Sequence, residues 1–222
     1  MPMADQTLSL NLADRWSRAW HCLQLPEPAP SVFQEPQELY DCYSDPARAY
    51  HTVDHLAECF TQLDSVWELA DNPGAVELAL WFHDAIYDTH ASDNEARSAQ
   101  WARRVLLGAK APDGLCQRID MLILATRHDG TTEDGDACLT VDIDLAILGA
   151  APARFDQYEK QIRQEYAWID PSAFVDARAK ILRRFATQPS IYRTEFFRNR
   201  LERQARPNLQ IALARLDGGP AN

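Results

Sequence analysis

Hydrophobic residues recur at intervals of three and four along most of the chain, which is the spacing of amphipathic helices. The stretch 47–69 is a long example, with apolar residues at Tyr50, Val53, Leu56, Phe60, Leu63 and Val66. Similar patterns occupy 8–23, 76–87, 96–107, 115–125, 155–168, 174–185 and 191–213. We therefore predict an all-α fold, a single-domain helical bundle over residues 1–216, followed by a short flexible tail, 217–222.

Helix ends are indicated by capping residues, prolines and glycines. Asp45-Pro46, Asn72-Pro73 and Asp170-Pro171 each place a good N-cap before a proline suited to the first helical turn. Gly108 and Gly149 stand where helices are expected to stop. These signals predict three helix starts and two helix ends.

The segment 139–145 is ambiguous, because Leu-Thr-Val-Asp-Ile-Asp-Leu alternates apolar and polar residues like a half-buried strand. Helical patterns flank it, so we predict the start of a helix. On a strand Asp142 and Asp144 would share a face, whereas on a helix they point in different directions. The helical interpretation allows only one of them to bind a shared ligand directly.

Composition excludes several classes of protein. A net charge of -11 disfavours a chain that grips a nucleic-acid polymer. No run approaches the roughly 20 apolar residues of a membrane span, and the first 20 residues are charged where an export signal is apolar. We therefore expect a cytoplasmic protein with no membrane partner. The five cysteines are scattered without a C-x-x-C pair, so we expect small buried thiols rather than disulfides or a thiolate zinc site.

Two short motifs carry candidate chemistry. His51 and His55 are four residues apart, which on the predicted helix places both imidazoles on one face. His83 and Asp84 interrupt an apolar run, and burying such a pair costs several kcal/mol unless a partner or a metal compensates it. Each motif alone also has an ordinary structural explanation, as a surface pair or as hydrogen-bonded core residues.

Taken together, these residues and a later aspartate supply nitrogen and carboxylate ligands. Such a set suits a divalent metal ion, with Mn, Mg, Co, Ni, Zn and Fe as the candidates. A metal of this kind acidifies bound water and clamps phosphoryl oxygens, which is the chemistry of phosphoester hydrolysis.

The order His55, then His83-Asp84, then Asp142/Asp144 resembles the HD superfamily of metal-dependent phosphohydrolases. It is most similar to a small bacterial branch of predicted HD phosphohydrolases. The matching segments are 50–55, 83–88, 93–99, 142–149, 162–166 and 205–209, so the likeness spans about residues 48–209. The resemblance implies a helical HD-type bundle and a phosphorylated small-molecule substrate, possibly a nucleotide.

The resemblance also implies roles for individual residues. His55, His83 and Asp84 would bind the metal, and an aspartate near position 144 would complete the set. We prefer Asp144, although Asp142 fits nearly as well and the choice stays open. By analogy with cyclic-nucleotide phosphodiesterases, whose paired histidines are similar, His51 would protonate the leaving alkoxide or hold the phosphate.

Three further residues have two interpretations each. Asp88 would orient a ligand histidine, or would be a helix-end carboxylate. Glu95 would be a general base, or would belong to a capping box with Ser92 as N-cap. His128 would bind a second metal or a phosphate, or would interact with the helix dipole.

Phosphate recognition by an acidic protein requires local cations. Guanidinium groups bind phosphate bidentately, and the arginines in or beside the matching segments are Arg48, Arg97, Arg127 and Arg163. We expect one or two of them in the pocket and the others in solvent or ion pairs. Two other functions stay open: a di-iron oxygenase of the HD type, and a non-catalytic sensor that binds a nucleotide or a metal.

Overall fold

The computed structural model describes residues 3–25, 35–130 and 132–218, with side chains from residue 12 in the first segment and from residue 37 in the second. Regular structure in these ranges is helical throughout, which confirms the all-α class. Three short connecting segments, Trp67–Leu69, Leu145–Gly149 and Arg198–Glu202, have 3-10 or π geometry. The helices are α1 (Met3–Cys22), α2 (Glu35–Tyr43), α3 (Val53–Val66), α4 (Pro73–Phe82), α5 (Asn94–Gly108), α6 (Asp113–Ala125), α7 (Gly135–Asp144), α8 (Pro152–Glu165), α9 (Pro171–Ala186), α10 (Glu195–Phe197) and α11 (Arg203–Asp217).

The chain divides into two compact units. The first contains Met1–Asp45 and His51–Thr140, and the second contains Pro46–Tyr50 and Val141–Asn222. The boundaries of the predicted domain, 1–216, stay a prediction, and residues 219–222 of the predicted tail lie outside the described residues. Among the described helices, none combines the length and apolarity that crossing a bilayer requires.

Helix α4 is the central helix of the first unit and contacts α1, α3, α5 and α6. Every residue from Gly74 to Phe82 is buried, as expected for a helix that is apolar on nearly all sides. Glu77 is the charged exception, and its carboxylate pairs with Arg15 and Arg18 of α1. Burial raises the pKa of Glu77, although its hydrogen bonds and charge interactions with Arg18 and Arg15 oppose that shift.

Most predicted helix ends are confirmed. The Asn72 side chain accepts a hydrogen bond from the Ala75 N–H at 3.1 Å, and the Asp170 side chain caps α9 in the same way. Helix α5 ends at Gly108, and the 3-10 segment after α7 ends at Gly149. The predicted start at Asp45-Pro46 is wrong, because the residues after it form turns.

Helix α3 therefore begins at Val53 rather than near residue 47. The Glu165 carboxylate of the second unit accepts hydrogen bonds from the Ala49 and Tyr50 N–H groups, both at 2.8 Å. A side chain distant in sequence thus binds the N–H groups that a helix would bond to its own carbonyls. Thr52 caps α3 instead, accepting from the Asp54 N–H at 3.3 Å.

The ambiguous segment 139–145 is helical. Asp142 lies within α7, which ends at Asp144, and the 3-10 segment begins at Leu145. The helical interpretation of this segment is confirmed, but the segment is the end of α7 and not the start of a helix, because α7 already begins at Gly135.

Polar side chains of the second unit bind backbone groups; Asn208 is buried and Glu202 is partly buried. The Asn208 amide of α11 donates to the carbonyls of Leu148 and Ala150, both at 2.9 Å. The Glu202 carboxylate accepts from the Ile191 N–H at 3.0 Å. Because these bonds keep residues 191–194 outside a helix, the helical stretch predicted from residue 191 begins only at Glu195.

Candidate metal centre

The His83-Asp84 pair lies directly after the last residue of α4. The sequence pattern predicted a helix through residue 87, and that prediction is wrong, because α4 ends at Phe82. In a continued helix the Asp84 N–H would bond to the Leu80 carbonyl. Instead, the His83 Nδ1–H donates a hydrogen bond to the Leu80 carbonyl at 2.7 Å, and the Asp84 N–H donates to the Tyr43 hydroxyl at 3.2 Å.

The turn after the pair is fixed from α5. The hydroxyl of Ser98, which is fully buried, accepts a hydrogen bond from the Ile86 N–H at 3.0 Å. The side chains of Tyr43 and Ser98 therefore replace the helical hydrogen bonds of Asp84 and Ile86. This arrangement holds the His83-Asp84 backbone between two helices of the first unit.

His55 and His83 point at one another from α3 and from the end of α4. Both are 1% exposed, and their Nε2 atoms are 3.2 Å apart. The Asp84 Oδ2 lies 3.0 Å from the His83 Nε2 and 3.6 Å from the His55 Nε2. Three potential ligand atoms thus converge on one small volume inside the first unit.

These separations fit a bound divalent cation. With metal–ligand bonds of about 2.1 Å, two ligand atoms lie about 3.0 Å apart at an octahedral angle and about 3.4 Å apart at a tetrahedral angle. The observed distances of 3.0, 3.2 and 3.6 Å bracket these values. The ring orientation of His83 also fits, because a histidine that donates Nδ1–H to a carbonyl presents the lone pair of Nε2 to a metal.

The electrostatics favour an ionised carboxylate in this volume. Burial by itself would raise the pKa of the Asp84 carboxyl, but the charges of His83 and His51 and hydrogen bonds from His55 and His83 outweigh it, so the pKa lies well below its usual value. This is the state of the site without metal, in which the imidazoles carry protons. A bound cation would take the place of the protons that face Asp84, and the carboxylate is already in the ionised form that binds it.

His51 lies two residues before α3 rather than on it, so the predicted shared helix face is wrong. Its imidazole nevertheless stays near the site, with its ring centre 5.8 Å from that of His55. It stacks on the Tyr87 ring with a centroid distance of 4.1 Å. His51 is partly exposed whereas His55 is buried, so its imidazole is the one of the two in contact with solvent.

Cys59 was not predicted as part of the site. It lies one turn after His55 on α3, and it is 2% exposed. Its Sγ is 3.7 Å from the His55 Nε2, and the ligand atoms of His55, Cys59 and His83 all lie within 4.8 Å of one another. The four-residue interval between His55 and Cys59 could have indicated that the two side chains share a helix face. The cysteines were considered only as a set, and their wide spacing indicated no metal site.

The two predicted aspartates of the second unit differ in their surroundings. The Asp142 carboxylate is fully buried and accepts hydrogen bonds from the Arg193 N–H at 2.8 Å, the Thr194 N–H at 2.7 Å and the Thr194 hydroxyl at 2.7 Å. These three bonds give Asp142 a structural function within its own unit. Asp144 is the last residue of α7, and its function as a ligand stays a prediction.

Asp88 and Glu95 flank the start of α5. Asp88 is exposed, and its carboxylate accepts a hydrogen bond from the His90 N–H at 2.9 Å within a local turn. The N-cap of α5 is Asp93 and makes no side-chain capping bond, so the capping box predicted with Ser92 does not form. Glu95 lies partly buried in the first helical turn, and its function as a base stays a prediction.

The predicted phosphate-binding residues have varied surroundings. Arg163 donates to the carbonyls of Tyr166 and Ile169 at 2.8 and 3.2 Å, which braces the end of α8. Arg127 pairs with Asp129 at 3.0 Å. The others are Arg48, partly buried; Arg97, exposed; and His128, partly buried with a left-handed backbone (φ 54) beyond the end of α6.

Comparison of the chain with protein-family models, with curated proteins and with solved structures gives no match. The geometry and chemistry of the residues themselves therefore carry the functional argument.

Proposed function

We propose that this chain is a metal-dependent phosphohydrolase of the HD type that cleaves a phosphomonoester or phosphodiester of a small molecule. The observation that carries the proposal is the convergence of the His55 Nε2, the His83 Nε2 and the Asp84 Oδ2 at separations of 3.0 to 3.6 Å. A bound cation would offset the cost of burying two imidazoles and a carboxylate together.

The proposed protein ligands do not fill every coordination position of the metal. His55, His83 and Asp84 supply three donor atoms from the first unit, and Asp144 is proposed as a fourth on the sequence resemblance alone. A tetrahedral ion with three protein ligands keeps one position open for solvent or substrate, and a six-coordinate ion with four protein ligands keeps two. Bound there, the cation would neutralise phosphoryl charge and lower the pKa of water.

His51 is proposed as the proton donor to the leaving oxygen, or as a contact to the phosphate. Its ring lies close to His55, is partly exposed, and is held in a stack with Tyr87. A general acid must reach the leaving group while neighbouring side chains hold the metal. The stack restricts the imidazole orientation, which helps to present one ring nitrogen to the substrate.

The test combines metal analysis with a panel of phosphoesters. Protein purified without chelators is analysed for bound metal and assayed with manganese, cobalt, nickel, magnesium, zinc and iron. We expect Asp84→Ala to lose both metal and turnover. We expect His51→Ala to keep the metal and lose about 10²- to 10⁴-fold in kcat. His21→Ala, an exposed histidine of α1, is the matched control and should behave as wild type.

The outcomes separate the competing functions. Turnover at the wild-type rate in Asp84→Ala would disprove the proposed mechanism. Bound iron with substrate-dependent oxygen uptake would identify an oxygenase instead. Tight nucleotide binding without turnover of any phosphoester would identify a sensor.

A further inference from the structure

The tyrosine that ends α2 lies beside the turn that carries two of the candidate metal ligands. Tyr43 is fully buried, at 0% exposure. Its hydroxyl donates a hydrogen bond to the Trp81 carbonyl at 3.2 Å and accepts one from the Asp84 N–H, also at 3.2 Å. One hydroxyl group thus joins the last turn of α4 to the backbone of a proposed metal ligand.

The Trp81 carbonyl needs a donor because α4 ends one residue later. In a continued helix this carbonyl would accept a hydrogen bond from the Ala85 N–H. That N–H donates to the Phe82 carbonyl at 2.9 Å instead, so the Trp81 carbonyl is one of the acceptors that a helix end leaves open. The Tyr43 hydroxyl supplies the donor.

The Asp84 N–H loses its helical acceptor in a similar way. In a helix it would donate to the Leu80 carbonyl, which here accepts from the His83 Nδ1–H at 2.7 Å. That bond turns the His83 Nε2 toward the Asp84 Oδ2, 3.0 Å away. The bond that orients the His83 ring therefore requires another acceptor for the Asp84 N–H, and the Tyr43 hydroxyl is that acceptor.

A tyrosine hydroxyl suits this position because it donates and accepts at the same time. The Tyr43 ring is buried in the first unit, so packing fixes the place of its oxygen. Both hydrogen bonds restrain the backbone that carries the Asp84 carboxylate, whose Oδ2 lies 3.6 Å from the His55 Nε2. A site binds its ligand well when supporting groups keep its side chains within about 0.5 Å of the bound geometry.

We propose that Tyr43 is a positioning residue of the metal centre, whose hydroxyl holds the Asp84 backbone so that the carboxylate is in place before a cation binds. The inference rests on the metal centre of the proposed function. Tyr43 acts through the backbone of Asp84 and is not itself a ligand. Groups that orient metal ligands contribute about 10- to 100-fold to metal affinity, and we expect an effect of that size from this hydroxyl.

Metal affinity in Tyr43→Phe tests the proposal, because this substitution removes the hydroxyl and keeps the ring. Metal-free protein is titrated with Mn²⁺, and the free ion is measured by electron paramagnetic resonance at a temperature at which circular dichroism shows the protein to be folded. We expect the Kd for Mn²⁺ to rise about 10- to 100-fold relative to the wild type.

A matched control separates this effect from the loss of any buried hydroxyl. Thr140 is fully buried in α7, and its hydroxyl donates to the Asp136 carbonyl at 2.8 Å. Thr140→Val removes that hydroxyl at nearly constant volume and should bind Mn²⁺ with the wild-type Kd. A loss of affinity confined to Tyr43→Phe would support positioning of Asp84, whereas an equal loss in both variants would overturn it.

Hydrogen exchange of the Asp84 amide tests the same proposal in the wild type. Exchange is followed by nuclear magnetic resonance on the metal-free protein. We expect the Asp84 N–H to be protected about as well as the amides in the last turn of α4, and we expect Tyr43→Phe to lose that protection. Exchange of the wild-type Asp84 amide at the rate of an unfolded peptide would overturn the proposal, even if Tyr43→Phe fails to fold.

The results distinguish this inference from the proposed function. A folded Tyr43→Phe that binds Mn²⁺ with the wild-type Kd would overturn the assignment of Tyr43 and leave the metal centre standing. Wild-type protein that binds no manganese, cobalt or zinc would overturn the metal centre itself, and the positioning function of Tyr43 with it.

Discussion

Replacing Asp142 tests whether this buried carboxylate has a structural function or binds metal. Its oxygens accept hydrogen bonds from the N–H groups of Arg193 and Thr194 and from the Thr194 hydroxyl, at 2.7 to 2.8 Å. The Thr194 side chain in turn caps α10. Removing the carboxylate in Asp142→Ala therefore releases the segment that leads into α10.

The magnitude follows from the groups left without a partner. An unsatisfied buried N–H costs about 1–3 kcal/mol, so two of them cost about 2–6 kcal/mol. Arg193 and Thr194 are only partly buried, so water will satisfy them in part. We therefore expect about 2–4 kcal/mol of lost unfolding free energy. For a chain of this length that corresponds to a fall in Tm of about 4–16 °C.

Urea unfolding and thermal melts followed by circular dichroism measure this loss. Asp142→Asn keeps the volume but exchanges one acceptor oxygen for a donor, so an intermediate loss is expected. Asp144→Asn, assayed in parallel, should lower metal content. The reasoning is refuted if Asp142→Ala melts within about 2 °C of the wild type, and the ligand assignment moves to Asp142 if that stable variant has lost its metal.

Two further predictions concern stability. Gly149→Ala should lower the free energy of unfolding, measured with urea, by about 1–3 kcal/mol. The added Cβ would lie 2.6 Å from the Leu201 Cβ and 2.9 Å from the Leu201 carbonyl oxygen. Unchanged stability would mean that the segment Arg198–Glu202, which contains Leu201, moves away at no cost. Burial raises the folded-state pKa of Glu77 despite Arg18, so its stabilising contribution is fully present below the unfolded pKa and is lost as pH rises through the folded pKa. Relative to Glu77→Gln, the wild type should therefore lose unfolding free energy as pH rises through that window, and a pH-independent difference would contradict the shift.

The sequence by itself determined the helical class and the location of the candidate site. Helix formation follows from the local spacing of apolar residues, and α4 was recognisable because nearly all of its residues are apolar. The same local argument singled out His83 and Asp84, since burial of an ionisable pair in an apolar stretch is costly wherever that stretch packs.

Only the tertiary structure decided where helices end and which side chains meet. Helix α4 ends at Phe82 because the His83 ring donates a hydrogen bond to the Leu80 carbonyl. Helix α3 begins only at Val53 because the Glu165 carboxylate binds the N–H groups of Ala49 and Tyr50 before it. Cys59 joined the site for a similar reason, since its distance from His83 depends on how α3 packs against α4. Periodicity reports which face of a helix is buried, whereas the distance between groups on different helices is set by packing that no local pattern contains.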